Sequence, residues 1–369
     1  MMQMAMGGSE RLVHNIAANI DREIFNPSIA WFFGENVLPE FQQLEIPLYH
    51  LPKLRRVDFS TMQSLEEVVK KNDVHVVNAH HFMSMVYAYY GCKIKNHIKL
   101  IYTEHSRWEI ERIPRRWEII GRHLLKKTDG AVGVSPEVTL LMREKFKLDS
   151  SKAVTIQNGV DLFVFKNRKR LNFLRDELGI SENDKVIGMV GNLKAVKNHL
   201  FLLRAFSKLL KNIDNVKLLL IGQAFRDEAD CSEQDIINFI EKNGIENKVL
   251  MVGPRSDIPE LLNIMDIFCL TSHKEGMPIS LIEAMATSLP VVGTDVDGIR
   301  DVVRNGENGF VVPLDDTKEL EKKLLTLLSD ETLRKAMGNA SETIAQQNYS
   351  LDKCLNQYEK LFHSVKCKV

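Results

Sequence analysis

Short runs of β-branched and aromatic residues alternate with amphipathic stretches along the whole chain. Such runs are typical of buried parallel strands. In the first half they predict strands at Pro27–Phe33, Ile46–Leu51, Val74–Asn78, Ile98–Thr103, Gly130–Val134 and Ala153–Ile156. In the second half they predict strands at Val186–Val190, Val216–Ile221, Val249–Val252, Ile267–Thr271, Val291–Thr294 and Gly309–Val312. Alternating strands and helices imply parallel sheets with helices on both faces.

The amphipathic stretches predict helices at Met62–Lys71, Pro114–Lys127, Pro136–Phe146, Asn198–Leu210, Glu233–Asn243, Ile258–Met265, Ile279–Thr287 and Thr317–Leu328. A last helix is predicted over Tyr349–Phe362. We therefore expect an α/β fold of two doubly wound, Rossmann-like domains that face a central cleft. Because such sheets bind ligands at the carboxyl ends of their strands, the cleft is the expected site.

The domain boundary is predicted in the basic run Lys166–Arg170, which follows a turn at Gly159. Residues 1–165 then form an N-terminal domain and residues 166–348 a C-terminal domain. Residues 349–369 form a final helix that is expected to pack back toward the N-terminal domain. A doubly wound domain normally opens with a strand, but only Met1–Met6 precede the helix that Gly7 and Gly8 open. The first strand is therefore expected to be missing.

Composition narrows the class of protein. The 369 residues carry 49 Lys+Arg and 49 Asp+Glu, so the formal net charge is zero, which argues against a nucleic-acid-binding protein. The five cysteines are odd in number and widely spaced, which argues against a disulfide framework or a zinc site. No apolar run approaches the roughly 18 residues that span a bilayer, and no secretory signal is expected. A reduced, cytoplasmic protein is predicted.

The most informative chemistry lies in residues 272–301. Glu275 ends a strand-to-helix loop, Gly276 follows it, and Pro278 suits the first position of a helix. A helix N-terminus with a glycine before it offers N–H groups and a positive dipole end, which suit a diphosphate. The carboxylates of Glu275 and Glu283 can accept hydrogen bonds from sugar and ribose hydroxyls.

This segment resembles the nucleotide-sugar-binding signature of glycosyltransferase family 4, a group of retaining enzymes with the GT-B fold. The signature E-G-x-P-x-x-x-x-E-A-M-A is matched by Glu275–Ala286. Other segments resemble landmarks of the same family in the same order: Gly7–Arg11, Tyr102–His105, Val134-Ser135, Asn158–Asp161, Gly191–Asn198, Val252–Asp257 and Tyr349-Ser350. The resemblance spans nearly the whole chain and implies two GT-B domains, the first of them on the acceptor side.

The resemblance also implies a role for each matching residue. Glu275 would hold hydroxyls of the donor sugar, and Glu283 would hold the ribose hydroxyls. Lys197 would neutralise the diphosphate, assisted by N–H groups near Gly276 and Met277.

Four further residues come from the other matching segments. His105 would approach the donor sugar, and Arg255 would face the base. Gly7 and Gly8 would let the backbone come close to phosphate or acceptor.

Metal and cofactor chemistry are not expected. No Asp-x-Asp pair stands in a loop as a metal ligand, and Asp315-Asp316 is interpreted as a helix cap. His80 and His81 follow a predicted strand at the cleft edge, but neither is expected to pair with carboxylates at metal-ligand spacing. Charge stabilisation by one lysine and a helix N-terminus is enough for a diphosphate leaving group.

The predicted function is that of a retaining, metal-independent glycosyltransferase. It would move a sugar from a UDP- or GDP-linked donor to a glycan or lipid-linked saccharide in surface polysaccharide biosynthesis. The alternative is a degenerate, non-catalytic GT-B module that binds a nucleotide, a glycan or a partner subunit. It is motivated by the missing strand and by Asn192, which stands where the family usually has arginine. A dehydrogenase is disfavoured because no G-x-G-x-x-G loop follows a predicted strand.

The stretch from Lys93 to Lys127 is locally basic. It holds ten Lys and Arg side chains against four Glu, a net charge of +6, with Trp108 and Trp117 interleaved. A basic amphipathic segment with tryptophan can lie on an anionic membrane surface. The other interpretation is a solvated helix whose apolar side belongs to the core. Peripheral contact with the inner membrane face through Arg107–Lys127 is thus one of two open interpretations, and nucleic-acid binding is not expected.

Overall fold

The computed structural model describes residues 1–2, 7–34, 37–53, 57–94, 98–168, 171–224 and 230–366. By its contacts the chain divides into two units. The first unit consists of Met1–Gly159 and Leu351–Val369, and the second of Val160–Ser350. Cys367, with Lys169 and Arg170 of the basic run, lies outside the described residues.

The first unit contains two parallel sheets. Its strands are β1 (Ile29–Trp31), β2 (Leu48–His50), β3 (Val76–His80), β4 (Lys99–Glu104), β5 (Gly130–Gly133) and β6 (Ala153–Thr155). Strands β1 and β2 pair with each other, and the other four form a sheet in the order β3-β4-β5-β6. In this sheet His80 is opposite Thr103, so β3 and β4 end side by side.

The helices of the first unit are α1 (Gly8–Asn19), α2 (Pro39–Gln42), α3 (Phe59–Lys71), α4 (Phe82–Ala88), α5 (Arg107–Arg112), α6 (Arg115–Lys127), α7 (Pro136–Phe146) and α16 (Leu351–Lys366). A π-helical turn, Tyr89–Lys93, continues α4. Helix α7 begins where the Ser135 side chain accepts from the amide of Val138, with proline in the first turn. Helix α16 packs on α1, and Glu359 accepts a hydrogen bond from the amide of Asp21 at 3.0 Å.

Fully buried side chains of the central strands form the core of the first unit. Leu100, Tyr102 and Ala131 pack in one cluster with Met85 of α4 and Met142 of α7. Burying a large apolar side chain of this kind contributes about 1.5–3 kcal/mol. The core therefore fixes the carboxyl ends of β3 and β4 in place.

The expected absence of a first strand concerns residues that are only partly described. Gln3–Met6 lie outside the described residues. The carbonyl oxygen of Met2 accepts hydrogen bonds from the amides of Phe32 at 3.1 Å and Phe33 at 2.8 Å.

The second unit is built on a six-stranded parallel sheet. Its strands are β7 (Lys185–Val190), β8 (Val216–Ile221), β9 (Val249–Met251), β10 (Ile267–Leu270), β11 (Val291–Thr294) and β12 (Gly309–Val312). The order β9-β8-β7-β10-β11-β12 is the doubly wound order of a Rossmann fold. Successive strands are added on one side of β7 up to β9 and then on its other side from β10 onward. The point between β7 and β10 is therefore the topological switch point, where such sheets bind ligands.

The helices of the second unit are α8 (Asn172–Glu177), α9 (His199–Leu209), α10 (Glu233–Asn243), α11 (Ile258–Asn263), α12 (Ile279–Ala286), α13 (Asp297–Arg300), α14 (Thr317–Ser329) and α15 (Glu331–Asn348). Asp316 caps α14 by accepting from the amide of Glu319 at 3.0 Å, which confirms the predicted cap. Pro278 is the N-cap residue of α12 rather than its first helical residue.

Candidate active-site residues of the two units

In the second unit, Lys197 and Glu275 meet at the switch point of the sheet. Lys197 lies in the loop after β7, and Glu275 lies in the loop after β10. The Lys197 Nζ atom donates to Glu275 Oε1 at 2.7 Å. The hydroxyl of Ser272 donates to the same oxygen at 2.5 Å. The side chain of Lys197 is 24% exposed and that of Glu275 is 10% exposed, so a ligand can reach the pair from solvent.

The main chain holds these two loops together. The hydroxyl of Thr271 donates to the carbonyl of Asn198 at 3.1 Å, and the amide of His273 donates to the carbonyl of Val196 at 2.8 Å. Asn198 has φ +51°, a left-handed conformation in which asparagine is tolerated. These contacts fix Lys197 relative to the end of β10.

Helix α12 begins directly after the Glu275 loop. No side chain caps its N-terminus, so the positive end of the helix dipole is not offset there by a neighbouring acid. The main chain at Gly298 packs closely against the loop at Gly276. A Cβ at position 298 would lie 2.6 Å from the carbonyl oxygen of Gly276, so a side chain there would displace the loop. Met277 is buried. Glycine at position 298 therefore keeps the approach to α12 in its place.

Glu283 lies on α12, about one turn from its start and eight positions after Glu275. Glu283 is only 6% exposed, so its carboxylate is largely removed from bulk water. Hydrogen bonds to a charged, poorly solvated carboxylate are the stronger kind, which suits a group that selects a ligand.

Asn192 and Arg255 have different surroundings. Asn192 lies two residues after the end of β7, and its carbonyl accepts from the amide of Lys194 at 2.8 Å. Arg255 forms two hydrogen bonds with Asp257, at 2.8 and 2.6 Å, and one with Glu177 at 3.1 Å. Arg255 holds the pKa of Asp257 below its ordinary value. The guanidinium is thus already paired with two carboxylates.

In the first unit, the ends of β3 and β4 bring three histidines together. His80 Nδ1 and His105 Nε2 are 2.8 Å apart and share a hydrogen bond. The ring of His105 also lies 4.9 Å from that of His81. The predicted strand-end location of all three is confirmed, and the parallel register explains why they meet.

Two glutamates complete this cluster. Glu104 is fully buried and accepts from Tyr102 and from the amides of His105 and Ser106. Burial, followed by the nearby charge of Glu109, raises the pKa of Glu104 to about 7. His81 Nδ1 bonds Glu109 Oε2 at 2.7 Å and lies 3.9 Å from Glu104 Oε1. Burial lowers the pKa of His81, but its bond to Glu109 and the surrounding carboxylates raise it more, so the net shift is upward.

The expectation that neither histidine pairs with carboxylates at metal-ligand spacing is wrong for His81. The ligand-type atoms of His81, Glu104 and Glu109 all lie within 4.8 Å of one another. His81 is 23 positions from Glu104 and 28 positions from Glu109, so chain spacing did not indicate that they meet. Since Glu104 already accepts from three donors, an imidazolium at His81 fits this cluster better than a bare cation does.

Gly7 and Gly8 differ in what surrounds them. A Cβ at Gly7 would lie 2.7 Å from Glu10 Oε2, whereas a Cβ at Gly8 would meet no chain atom within 4 Å. Ser9 donates to the same Glu10 oxygen at 2.8 Å, and burial raises the pKa of Glu10. Gly7 thus makes room for Glu10, and only Gly8 leaves open space.

The basic segment is divided between α5 and α6. Trp108 is 37% exposed and Ile119 is 61% exposed. Lys93, Arg107 and Arg122 pair with acidic side chains. Within the described ranges, four exposed basic residues of α6 have no carboxylate partner: Arg115, Arg116, Lys126 and Lys127. No helix in the part of the chain that the structure describes is long and apolar enough to cross a bilayer.

Residues that the sequence left unassigned also belong to these sites. Ser272, Glu104 and Glu109 bond directly to predicted site residues or to their neighbours. Ser272 and Glu104 lie at or just after the end of a strand, and this position could have marked them in the sequence as candidate site residues. Glu109 lies on a helix, and no sequence pattern marked it as a site residue.

Comparison with known proteins identifies the family and the fold. A family model described as glycosyl transferases group 1 matches residues 172–343, and one described as glycosyltransferase family 4 matches residues 6–163. The N-acetyl-alpha-D-glucosaminyl L-malate synthase of Bacillus anthracis is 26% identical over 98% of this chain and 91% of its own length. The UDP-Gal:alpha-D-GlcNAc-diphosphoundecaprenol alpha-1,3-galactosyltransferase of Escherichia coli is 24% identical over 83% of this chain and 79% of its own.

A solved structure has the same fold. Anabaena Alr3699/HepE, determined in complex with UDP-glucose, superposes with a TM-score of 0.87 at 20% identity, over 99% of this chain and 98% of that one. The fold and the matches define an enzyme, a glycosyltransferase with the GT-B fold. Within that class, the chain belongs to glycosyltransferase family 4.

Proposed function

We propose that this enzyme transfers a sugar, with retention of configuration, from a UDP- or GDP-linked donor to a glycan or lipid-linked saccharide in surface polysaccharide biosynthesis. The observation that carries the proposal is the Lys197–Glu275 ion pair at the switch point, beside the uncapped N-terminus of α12. A cation and a helix dipole at one point suit a departing diphosphate, and a carboxylate beside them suits the hydroxyls of the attached sugar.

The names of similar proteins support a nucleotide-sugar donor. The name of the E. coli relative specifies UDP-galactose, and the Anabaena structure holds UDP-glucose. Names of relatives also include a capsular polysaccharide enzyme of Staphylococcus aureus. The name of the B. anthracis relative specifies L-malate, so a small hydroxy acid is the second acceptor class to test.

Each site residue then has a role in the proposed reaction. Lys197 and the N–H groups at Gly276, Met277 and the start of α12 stabilise the charge that develops on the leaving diphosphate. Glu275 holds the hydroxyls of the sugar, and Glu283 holds those of the ribose. With Lys197 in this place the departure needs no metal ion, which is part of the proposal.

The other predicted residues act around this centre. His105 contacts the donor sugar, and Gly8 admits the backbone to phosphate or acceptor. Asn192 contributes a hydrogen bond rather than a second charge. Arg255, braced by Asp257 and Glu177, borders the base.

The testing experiment is calorimetric titration of the full chain with UDP, GDP and ADP in buffer with a chelator. We expect one nucleotide to bind with micromolar affinity, and Glu283→Ala to abolish that binding. The bound nucleotide then selects the sugar donors for turnover assays, in which NMR of the product reports retention or inversion. Absence of binding by all three nucleotides contradicts the donor assignment. Loss of activity on chelation contradicts metal independence.

We further propose peripheral contact between the first unit and an anionic membrane. The four unpaired basic residues of α6 lie on the same helix as the exposed Ile119, and Trp108 is exposed on the preceding helix. Exposed positive charge next to exposed apolar and aromatic groups matches the surface of an anionic bilayer. A lipid-linked acceptor would be met at that surface.

A further inference from the structure

The hydrogen bond between His80 and His105 joins two ring nitrogens, so it contains a single proton. If His80 Nδ1 carries this proton, His105 Nε2 must accept it. A neutral His105 then carries its own proton on Nδ1. In the opposite arrangement His105 Nε2 donates, and its Nδ1 becomes an acceptor. The protonated nitrogen of one ring therefore determines that of the other.

The surroundings of both rings favour the neutral form. Burial, followed by nearby positive charge that includes His81, keeps the pKa of His80 well below its ordinary value. Burial and the same histidine have this effect on His105. Neither ring relaxes easily, since His80 is 5% exposed and the two ring centroids are 5.1 Å apart.

The surrounding main chain fixes the cluster further. His81 has φ +72°, a backbone conformation that is strained for a non-glycine residue. Its amide nevertheless donates to the carbonyl of Thr103 at 3.0 Å, which ties the turn after β3 to β4. Thr103 in turn donates from its hydroxyl to Asn78 at 2.8 Å. Hydrogen bonds between β3 and β4 thus stabilise the strained conformation of His81, next to the place where the two rings meet.

We propose that His80 is a positioning residue that fixes the tautomer of His105. It thereby decides whether Nδ1 of His105 offers a proton or a lone pair to a bound sugar. The effect on a bound sugar rests on the proposed function, in which His105 contacts the donor sugar. The tautomer of His105 itself concerns only the first unit and can be measured without a ligand.

The test compares three full-length proteins labelled with ¹⁵N in the histidine rings: wild type, His80→Leu and His80→Asn. The His105 signals are assigned as those lost in His105→Gln. In wild type we expect one pyrrole-type and one pyridine-type nitrogen in His105, the pattern of a single tautomer. In His80→Leu the ¹⁵N chemical shifts of both His105 nitrogens should move toward values intermediate between the two types, as expected when the two tautomers interconvert. His80→Asn should reduce this averaging, because its amide again gives Nε2 of His105 a hydrogen-bond partner, through either its N–H or its oxygen.

Activity supplies the second readout. We expect His80→Leu to lower kcat about 10- to 100-fold, with nucleotide affinity unchanged, and His80→Asn to recover most of the loss. His123→Leu, at an exposed histidine of α6, is the matched control. Averaged His105 signals in wild type, or unchanged signals in His80→Leu, overturn the positioning role. A changed tautomer with unchanged kcat overturns its link to the sugar. The spectra decide the first point even if the donor assignment fails.

Discussion

The amino group of Lys197 lies 2.7 Å from the carboxylate of Glu275, although 78 positions separate the two residues. Both side chains are mostly shielded, so neither charge is strongly screened. The pair holds each side chain at the switch point before a ligand arrives. In the proposed reaction a diphosphate takes Lys197 as its counterion, while Glu275 turns to accept from sugar hydroxyls.

Replacing Lys197 tests this arrangement. We expect Lys197→Ala to lower kcat by about 10²–10³-fold, the effect typical of removing one charge-stabilising donor. Lys197→Arg, which keeps the charge, should lose less. Steady-state kinetics with the donor identified by titration provide the measurement. Lys208→Ala, at an exposed position of α9, serves as the control, and kinetics of Lys197→Ala equal to those of wild type would remove Lys197 from the site.

The buried carboxylate of Glu283 is tested by an isosteric change. Glu283→Gln keeps the shape of the side chain but removes its charge, and a hydrogen bond to a charged group is worth about 1.5–3 kcal/mol. We expect the Kd of the nucleotide to rise about 10- to 100-fold in calorimetry. Glu246→Gln, at an exposed position of the same unit, should bind as wild type does. Equal affinity of the two variants would show that Glu283 is structural.

Most of the fold was predictable because the strands are buried on both faces. All twelve predicted strands exist, and Val216–Ile221 and Val291–Thr294 have the predicted bounds. Helix α4 was not predicted, since Phe82–Ala88 is apolar on every side and shows no helical period. Helix α15 was not predicted either. Its Gly338 resembles a helix breaker but packs against Ser288, where a Cβ would lie 2.2 Å from a carbonyl oxygen.

The candidate sites were predictable only in part. The motif around Glu275 and Glu283 is local, so its residues could be named from the chain alone. The contact between His80 and His105 depends on the register of β3 and β4, which no local pattern reveals. Arg255 was predicted to face a base, and its pairing with Glu177 depends on a helix 78 positions away.

The N-cap residue Gly7 and the first helical residue Gly8 of α1 predict opposite outcomes. Gly8→Ala meets no chain atom, and alanine in a helix is favoured over glycine by about 0.5–1 kcal/mol. Thermal stability should therefore hold or rise, while the KM for the acceptor or donor rises about tenfold if a ligand approaches this backbone. Gly7→Ala should instead lower the melting temperature, because its Cβ displaces the buried carboxylate of Glu10. Unchanged kinetics in Gly8→Ala would show that no ligand uses that space.

Membrane contact is tested by removing the unpaired charges of α6. Each basic residue near an anionic surface contributes about 1 kcal/mol. A variant with Arg115, Arg116, Lys126 and Lys127 replaced by serine should therefore bind phosphatidylglycerol vesicles about 10²–10³-fold more weakly in sedimentation. Binding of wild type should also weaken with salt.

The matched control changes four exposed basic residues of the second unit to serine: Arg204, Lys208, Lys211 and Lys242. Vesicle binding that falls equally in both variants would indicate a general charge effect rather than a surface on α6. Strong binding to uncharged phosphatidylcholine vesicles would point to Trp108 and Ile119 instead.

His199 predicts how acid destabilises the second unit. Burial, assisted by the charge of Lys197, lowers the pKa of His199 from the ordinary 6.5 to about 4. Between these values the unfolded chain binds a proton that the folded chain does not, so stability falls as the pH falls from 6.5 to 4. The loss approaches about 2–3 kcal/mol. Urea unfolding of wild type and His199→Met at pH 4.5 and 7 measures it, with His123→Met as an exposed control. His199→Met should lose less stability on acidification than wild type or the control. Parallel losses in all three proteins would show that other groups govern the acid response.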